Sequence, residues 1–416
     1  MNLLFVNYGD WDNNSGLQIQ SLARALAPLG YDARVVVPKI REESPASAAP
    51  GAAAVHHREV LKIGAGFADG RPADVIHAWT PREVVRKFCR AYLEIHPGTP
   101  VVVHLEDNEE LLLTRFLGRP VDSLPRDESG RLDASFLVPG LIHPDLAKPF
   151  LESAAAVTAI HRSLFDMPLA VEGCHELVPV IHADDYSQSD SSANLRHRFG
   201  VGPDEKVVVY VGNDHFANRE DVRTLYAAVH ALNQRGSSWR LFRTGKIDEA
   251  TYEGLPFDRD DFETRFGLVP REDLVDILHV ADIFVQPGKD DDFNRFRLPA
   301  KIPEFLSVGR PTILPRSNIG NELDHGVEAL ITTEGTAEEI MHHCLLIAGD
   351  PELARKLGER GQAFARDRFA PEVVAGSADA IYQSALGGRA RVSPASFSAR
   401  LRKLFALGKP RASRRP

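Results

Sequence analysis

The chain has 416 residues, of which 43% are hydrophobic and 26% charged, as in an ordinary globular protein of two or three domains. The formal net charge is −9, but residues 388–416 contribute +9, so residues 1–387 carry −18, and so acidic a body disfavours nucleic-acid binding. The three cysteines form no C-x-x-C pair and no apolar run approaches the roughly 18 residues of a membrane span, so we expect a cytoplasmic protein without a structural zinc site, signal peptide or transmembrane helix.

The first half of the chain alternates apolar runs with helical patterns. The predicted strands are 3–6, 33–37, 75–77, 101–105 and 156–160, and the predicted helices are 16–29 and 81–95. This alternation is typical of βαβ units, so we predict an α/β fold with a parallel, Rossmann-like sheet over residues 1–183. A Pro-, Ala-, Gly- and Ser-rich loop at 42–54 and a long irregular stretch at 111–150 interrupt the pattern.

A second cycle of strands and helices follows a polar, linker-like segment at 184–192. The predicted strands are 206–212, 239–243, 282–285 and 311–314, and the predicted helices are 219–235, 271–279, 336–348, 351–366 and 371–386. This cycle predicts a second Rossmann-like domain over residues 184–370, followed by a last helix at 371–387.

The segment from Leu298 to Pro315 reads as a loop, a short helix, a tight turn at Gly309 and a buried strand. A helix that starts near Pro299 offers free backbone N–H groups and a positive dipole end to a phosphate or diphosphate. Glu304, one turn further in, could accept hydrogen bonds from sugar hydroxyls. The alternative is that Lys301 and Glu304 form a solvated i,i+3 pair on an ordinary helix.

This segment resembles the nucleotide-sugar signature of the retaining GT-B glycosyltransferases of family 4, the glycosyl transferases group 1. The residues in register are Pro299, Lys301, Glu304, Phe305, Leu306, Gly309, Pro311 and Ile313. The resemblance implies two Rossmann-like domains that face a central cleft, with the last helix crossing back onto the N-terminal domain. It also implies transfer of a sugar from a nucleotide-diphosphate donor to a hydroxyl acceptor, as in polysaccharide biosynthesis, without a metal or other cofactor.

The resemblance assigns donor binding to five residues, namely Gly16, Gly212, Val269, Lys301 and Glu304. Gly16 belongs to a loop that approaches the donor diphosphate and the acceptor in the family, although a plain N-cap at Ser15 explains the same residues. Val269 belongs to a segment that resembles the base-reading loop, and Glu304 should hold the ribose or the sugar hydroxyls.

Glu106 and Asp107 follow the predicted strand 101–105, at the positions where many relatives carry a histidine–aspartate pair. We therefore expect both carboxylates at the cleft near the transferred sugar. Strand alternation would place Glu106 on the same face as His104 and Asp107 on the opposite face. The alternative is a solvated acidic loop.

The chain departs from the family where a diphosphate-binding arginine and lysine are usual, because Asn213 and Asn218 stand at those positions. A metal-free departure of the diphosphate needs cations. We assign this catalytic role to Arg219 and Lys301, with Arg295 and Arg297 near the other phosphate-binding loop; otherwise catalysis is lost. The triplet 290–292 is interpreted as a solvated loop rather than a metal site.

Two other functions stay open at this point. One is a nucleotide-sugar epimerase of the same fold, and the other is a non-catalytic sugar-nucleotide-binding subunit. The tail adds a possible partner, because Phe397, Leu401, Leu404 and Phe405 share one helical face flanked by basic residues. That pattern predicts peripheral binding to anionic membranes, the alternatives being a disordered terminus or a helix docked on the acidic body.

Overall fold

A computed structural model describes the chain except residues 40–47, 50, 127, 129, 131, 188–189, 216 and 388–416. The basic tail and its predicted amphipathic helix therefore lie outside the described residues. Within them, no helix combines the length and the apolar character needed to cross a membrane.

The N-terminal sheet is parallel except at one edge. Its strands are β1 (Asn2–Val6), β2 (Asp32–Val37), β3 (Ala48–Ala49), β4 (Ala52–His56), β5 (Val75–Trp79), β6 (Val101–Leu105), β7 (Ala156–Ala159) and β8 (His175–Glu176). They lie in the order β3-β4-β2-β1-β5-β6-β7-β8, with β3 antiparallel to β4. The strand order reverses between β1 and β5, and ligands of doubly wound sheets bind in the crevice at such a point.

The C-terminal sheet is parallel throughout its described strands. These are β9 (Lys206–Val211), β10 (Trp239–Thr244), β11 (Glu263–Gly267), β12 (Ile283–Val285), β13 (Thr312–Pro315) and β14 (Leu330–Thr332). Their order, β11-β10-β9-β12-β13-β14, is that of a Rossmann dinucleotide-binding sheet, with its reversal between β9 and β12. Apart from the edge strand β11, the strands are buried on both faces by helices, which explains their continuous apolar runs.

Helices cover both sheets. They are α1 (Asn14–Leu26), α2 (His57–Ile63), α3 (Glu83–Ile95), α4 (Glu109–Leu117), α5 (Ala147–Glu152), α6 (Ser192–Arg198), α7 (Arg219–Asn233), α8 (Arg271–Val280), α9 (Asp292–Arg295), α10 (Lys301–Val308), α11 (Ala337–Gly349), α12 (Pro351–Phe369) and α13 (Pro371–Gly387). The last one crosses back onto the N-terminal domain, where Tyr382 Oη lies 2.7 Å from His77 Nδ1 and Tyr31 donates to Asp379 over 2.6 Å. The predicted two-domain architecture with a returning helix is thereby confirmed, while the domain boundaries stay predictions.

Three sequence predictions were wrong or incomplete. The loop at 42–54 contains the start of β4, because the alanines of β4 pair with β2 in parallel register from Ala33↔Ala52 onward. The edge strand β11 and the short strand β14 were not predicted. The irregular stretch at 111–150, which we expected to be functional or partly helical because it is too long for a connecting loop, does hold most of α4 and the beginning of α5.

Candidate functional site

A cavity of about 290 Å³ lies between the two domains, at the carboxyl edges of both sheets. Its N-terminal wall includes Ser15, Glu106 and Asp107, and its C-terminal wall includes His215, Arg297 and Pro299. Both strand-order reversals therefore open onto one space, as expected for a ligand site in this class of fold.

Glu106 is held in place by two donors on its own wall. Its Oε2 accepts a hydrogen bond from Ser15 Oγ (2.5 Å) and its Oε1 accepts one from Trp79 Nε1 (2.7 Å). Burial raises the pKa of this carboxyl from 4.5 to about 7, although the bonds from Ser15 and Trp79 oppose the shift. The prediction of a solvated acidic loop is wrong for Glu106, which is 8% exposed.

Asp107 lines the same cavity as Glu106, so the prediction that alternation separates them is wrong. The physical reason is that β6 ends at Leu105, and the period of two does not apply to the turn beyond it. His104 does lie within β6: its Nδ1 contacts Thr158 Oγ1 (2.8 Å) and its ring packs on Trp79, so it belongs to the sheet interior.

Arg82 supports this acidic wall and was not predicted. Its Nε donates to both oxygens of the fully buried Glu109 (3.0 Å each), its Nη2 lies 4.0 Å from Asp107 Oδ2, and its guanidinium lies 3.9 Å from the Tyr8 ring centre. Burial raises the pKa of Asp107, and Arg82 opposes that shift. Its position in the sequence could have indicated this role, because Arg82 follows β5 at the same sheet edge as the predicted acidic residues.

Gly16 lies inside the first turn of α1 and is buried. Its N–H donates to Asn13 Oδ1 (2.7 Å), so the N-cap is Asn13 and the alternative prediction of a cap at Ser15 is wrong. A Cβ at Gly16 would lie 2.2 Å from Trp11 O, so the chain's own loop requires glycine there. Asn14 and Ser15, not Gly16, line the cavity.

The loop after β9 uses its polar side chains to hold itself together. Asn218 accepts from His215 N (2.9 Å) and donates to Asn213 O (3.0 Å), while Asn213 Oδ1 accepts from Lys246 N (2.7 Å). Behind it, Arg243 donates to Asp214 and to Gly212 O, and both side chains of that ion pair are fully buried. The two asparagines therefore shape the loop instead of supplying charge.

Lys301 reaches back over the end of β9. Its Nζ lies 4.0 Å from the Tyr210 ring centre, and a Cβ at Gly212, where φ is +134°, would lie 2.6 Å from that Nζ. Gly212 thus allows the lysine its close approach. Burial, together with the nearby Arg243 and Arg297, lowers the pKa of Lys301 well below its ordinary value.

Glu304 is partnered by the segment that links the domains. Its Oε1 accepts from Tyr186 Oη (2.7 Å) and lies 3.7 Å from Arg271 Nη1, and its side chain is 18% exposed. The alternative of a solvated pair with Lys301 is therefore wrong. The helix begins at Lys301, two residues after the predicted start, and ends at Gly309 in the left-handed region as predicted.

Of the predicted site residues, Glu106 and Asp107 line the cavity, whereas Gly16, Gly212, Lys301, Glu304, Arg219 and Val269 do not. Arg219, at the start of α7, donates to Asp248 Oδ2 (3.0 Å). Val269 lies in the loop before α8, half-buried against the core and further along the sheet edge. Their predicted roles stay predictions.

One group of potential metal ligands joins the domains: His161 and Glu176 on one side and Glu322 on the other. Arg162 and Arg368 already pair with both carboxylates, at 2.7–3.2 Å. Two arginines that neutralise two glutamates leave little attraction for a cation, so this cluster fits an interdomain ion-pair network better than a metal site. Near the cavity, Asp290 pairs with Arg295 (2.9 Å), and Asp291 caps α9.

Comparison with known proteins agrees with this architecture. Residues 205–350 match the family described as "Glycosyl transferases group 1". A search of curated proteins finds no significant match.

The similar solved structures are distant in sequence. Sucrose-phosphate synthase from Thermosynechococcus elongatus is 14% identical, with 94% of this chain and 100% of that chain covered and a TM-score of 0.68. Anabaena HepE in complex with UDP and glucose is 15% identical, with 92% and 100% covered and a TM-score of 0.67. WaaG, a glycosyltransferase involved in lipopolysaccharide biosynthesis, is 13% identical, with 91% and 99% covered and a TM-score of 0.59.

At these identities the structural neighbours establish the fold, and the family match supports sugar transfer from a nucleotide sugar. The resemblance to the group 1 glycosyltransferases is confirmed by residues 205–350, and the chain has the GT-B fold.

Proposed function

We propose that this protein transfers a sugar from a nucleotide-diphosphate donor to a hydroxyl acceptor, with retention at the anomeric carbon and without a metal. The observation that carries the proposal is the polarity of one cavity: Glu106 and Asp107 form one wall, and Arg297 and the start of α10 form the other. A sugar on the acidic side and a phosphate on the cationic side match a donor laid across the cleft.

The donor is placed by groups of the C-terminal domain. The diphosphate meets the first N–H groups of α10, with Arg297 and Lys301 nearby. The ribose reaches Glu304, whose Oε1 is bound by Tyr186 and whose carboxylate can accept further hydrogen bonds. The base lies near Val269, and the transferred sugar points toward Glu106 and Asp107.

In the proposed reaction the bond from the anomeric carbon to the phosphate oxygen breaks, and its electron pair stays on that oxygen. The acceptor hydroxyl oxygen forms the new bond on the same face, and its proton passes to the departing phosphate. Positive groups close to the diphosphate stabilise the charge that develops there. Glu106 is bonded to Ser15 and Trp79, so it serves to position the sugar and not as a nucleophile.

The acceptor is a glycan, a lipid-linked glycan or a small molecule bound to the N-terminal domain. A role in polysaccharide biosynthesis and peripheral membrane binding through residues 388–416 remain part of this proposal. Sedimentation of the full chain and of a chain ending at Gly387 with anionic vesicles tests the membrane part, and equal recovery in the supernatant would refute it.

The test of the function is release of nucleoside diphosphate from UDP-, GDP- and ADP-sugars. The wild-type protein should turn over one of them, and Glu304→Gln should lower kcat/KM at least tenfold, because a charged hydrogen bond contributes about 1.5–3 kcal/mol. Tyr186→Phe, which removes only the internal partner of Glu304, should cost less. Equal activity of Glu304→Gln and wild type would remove Glu304 from the donor site.

A second function follows from Asn213 and Asn218, which supply no charge to a leaving group. A non-catalytic subunit would bind a sugar nucleotide and not turn it over. Donor binding without release of diphosphate across a broad acceptor panel would favour this function over the first.

A further inference from the structure

Arg297 differs from three other arginines near the cleft in having no acidic partner. Arg219 pairs with Asp248, Arg243 with Asp214 and Arg295 with Asp290. Among the residues that the structure describes, Arg297 forms no ion pair within 4.0 Å; its Nη2 donates only to Asn294 Oδ1 (2.8 Å).

The guanidinium of Arg297 is nevertheless held in a fixed place. It lies 3.9 Å from the centre of the Phe293 ring, and its Nε is buried without a hydrogen-bond partner among the described residues. A buried N–H donor without an acceptor costs about 1–3 kcal/mol, so a native structure that keeps one has a reason for it. Here the group lines the interdomain cavity, where a ligand can supply the acceptor.

The charges around Arg297 favour an anionic ligand over a protein acid. Asp107, across the cavity, is the acid with the largest effect on Arg297, ahead of Asp221 and Asp291, but Arg82 already lies 4.0 Å from the Asp107 carboxylate. The partly buried His215 lies on the same wall, and burial together with Arg297 and Lys301 lowers the pKa of His215 to about 4. A concentration of positive charge beside a helix start is what a diphosphate requires.

We propose that Arg297 is the cation that binds the outer phosphate of the donor and stabilises the charge on it as the sugar leaves. This proposal rests on the proposed function and assigns to Arg297 the role that we expected of Arg219 and Lys301. The planar fork of a guanidinium can donate two parallel hydrogen bonds to two phosphate oxygens, and the leaving phosphate gains negative charge in the transition state.

The experiment compares Arg297→Gln with Arg295→Gln. The second variant is the matched control, because it changes an exposed arginine two residues earlier. Calorimetry measures the affinities of UDP, GDP and ADP and of their monophosphates for each variant and for wild type. Arg297→Gln should weaken binding of the preferred diphosphate at least tenfold and that of its monophosphate less than threefold. Arg295→Gln should change both less than threefold.

Turnover supplies a second readout. With the corresponding nucleotide sugar, Arg297→Gln should lower kcat by a larger factor than it raises KM, because the interaction strengthens as charge develops. A merely structural role would instead lower the melting temperature and leave the ratio of diphosphate to monophosphate affinity unchanged.

The outcomes separate failure of the role proposed for Arg297 from failure of the proposed function. Equal diphosphate affinities in Arg297→Gln and Arg295→Gln would overturn the proposal, whereas a wild-type protein that binds no nucleoside diphosphate would refute the proposed function first. If Arg297→Gln does not fold, Arg297→Lys keeps the charge and removes the fork. A ratio of diphosphate to monophosphate affinity reduced at least threefold in that variant supports the proposal, and an unchanged ratio overturns it.

Discussion

Two loops of the C-terminal domain border the cleft, and their polar side chains have different partners. In the loop 212–218, after β9, Asn213, Asp214 and Asn218 bond within their own domain. In the segment 292–301, Arg297 and the start of α10 face the cavity. In the proposed site, the first loop is a scaffold and the second is the binding surface. Under the proposed function, the positive charge of the site lies on the second loop instead of the first, while the fold stays the same.

The largest expected effect of this difference is on stability in the scaffold loop. Asp214→Ala removes the partner of the buried Arg243 and should lower the free energy of unfolding by about 3–5 kcal/mol, the typical result of breaking a buried ion pair. Asp260→Ala, which removes an exposed partner of Arg265, should cost about 1 kcal/mol or less. Denaturant unfolding measures both, and equal losses would mean that the loop is not a scaffold.

A smaller loss is expected at the position where the family usually carries a lysine. Asn218→Ala removes bonds to His215 N and Asn213 O and should cost about 1–3 kcal/mol, while Asn194→Ala, at an exposed amide, should cost about 0.5 kcal/mol or less. Nucleoside diphosphate affinity of the folded Asn218→Ala protein should change less than threefold. Loss of that affinity without loss of stability would make the first loop a binding surface.

In the second segment the expected effects are reversed. Lys301→Met removes a buried amino group that sits on the Tyr210 ring and is costly to charge there, so the melting temperature should stay the same or rise. Diphosphate affinity should fall about tenfold. The matched control is Lys246→Met, whose exposed lysine lies beside the same loop. A drop in stability with unchanged affinity would place Lys301 among the scaffold residues.

A pH-dependent effect concerns the acidic wall opposite. Burial raises the pKa of Glu106 in the folded protein from 4.5 to about 7, so the unfolded chain loses this proton at a lower pH than the folded protein does. The stability that this group contributes therefore falls as the pH rises from about 4.5 to 7. Glu106→Gln cannot titrate, so its melting temperature relative to wild type should rise between pH 5 and 7.5. For the control Glu172→Gln, at an exposed glutamate, the difference in melting temperature from wild type should not change with pH. The same constant difference for Glu106→Gln would contradict the raised pKa of Glu106.

Much of the fold could be predicted because its strands are buried on both faces and therefore read as apolar runs. The edge strand β11 lacks such a run, since all five of its residues are partly or fully exposed, and the alanines of β4 look like those of a loop. Chain order and strand ends were enough to place Glu106 and Asp107 at the cleft edge.

The partners of the site residues could not be predicted in the same way. Tyr186 and Glu304 are 118 positions apart, and no local pattern joins them. Sequence spacing also does not decide which of several arginines lines a cavity. Arg219, next to the expected position, donates to Asp248, while Arg297 lines the cavity from the other loop. Tertiary contacts make that choice.

Whether the cleft binds a nucleoside diphosphate without a metal is tested by calorimetric titration of the wild-type protein. The ligands are UDP, GDP and ADP and the matching nucleosides, in the presence of a chelator. One diphosphate should bind at least tenfold more tightly than its nucleoside, and removing divalent ions should not change that ratio, because Arg297, Lys301 and the start of α10 supply the positive charge. Equal affinities for diphosphate and nucleoside, or binding only with a divalent ion, would contradict a metal-free diphosphate site in this cleft.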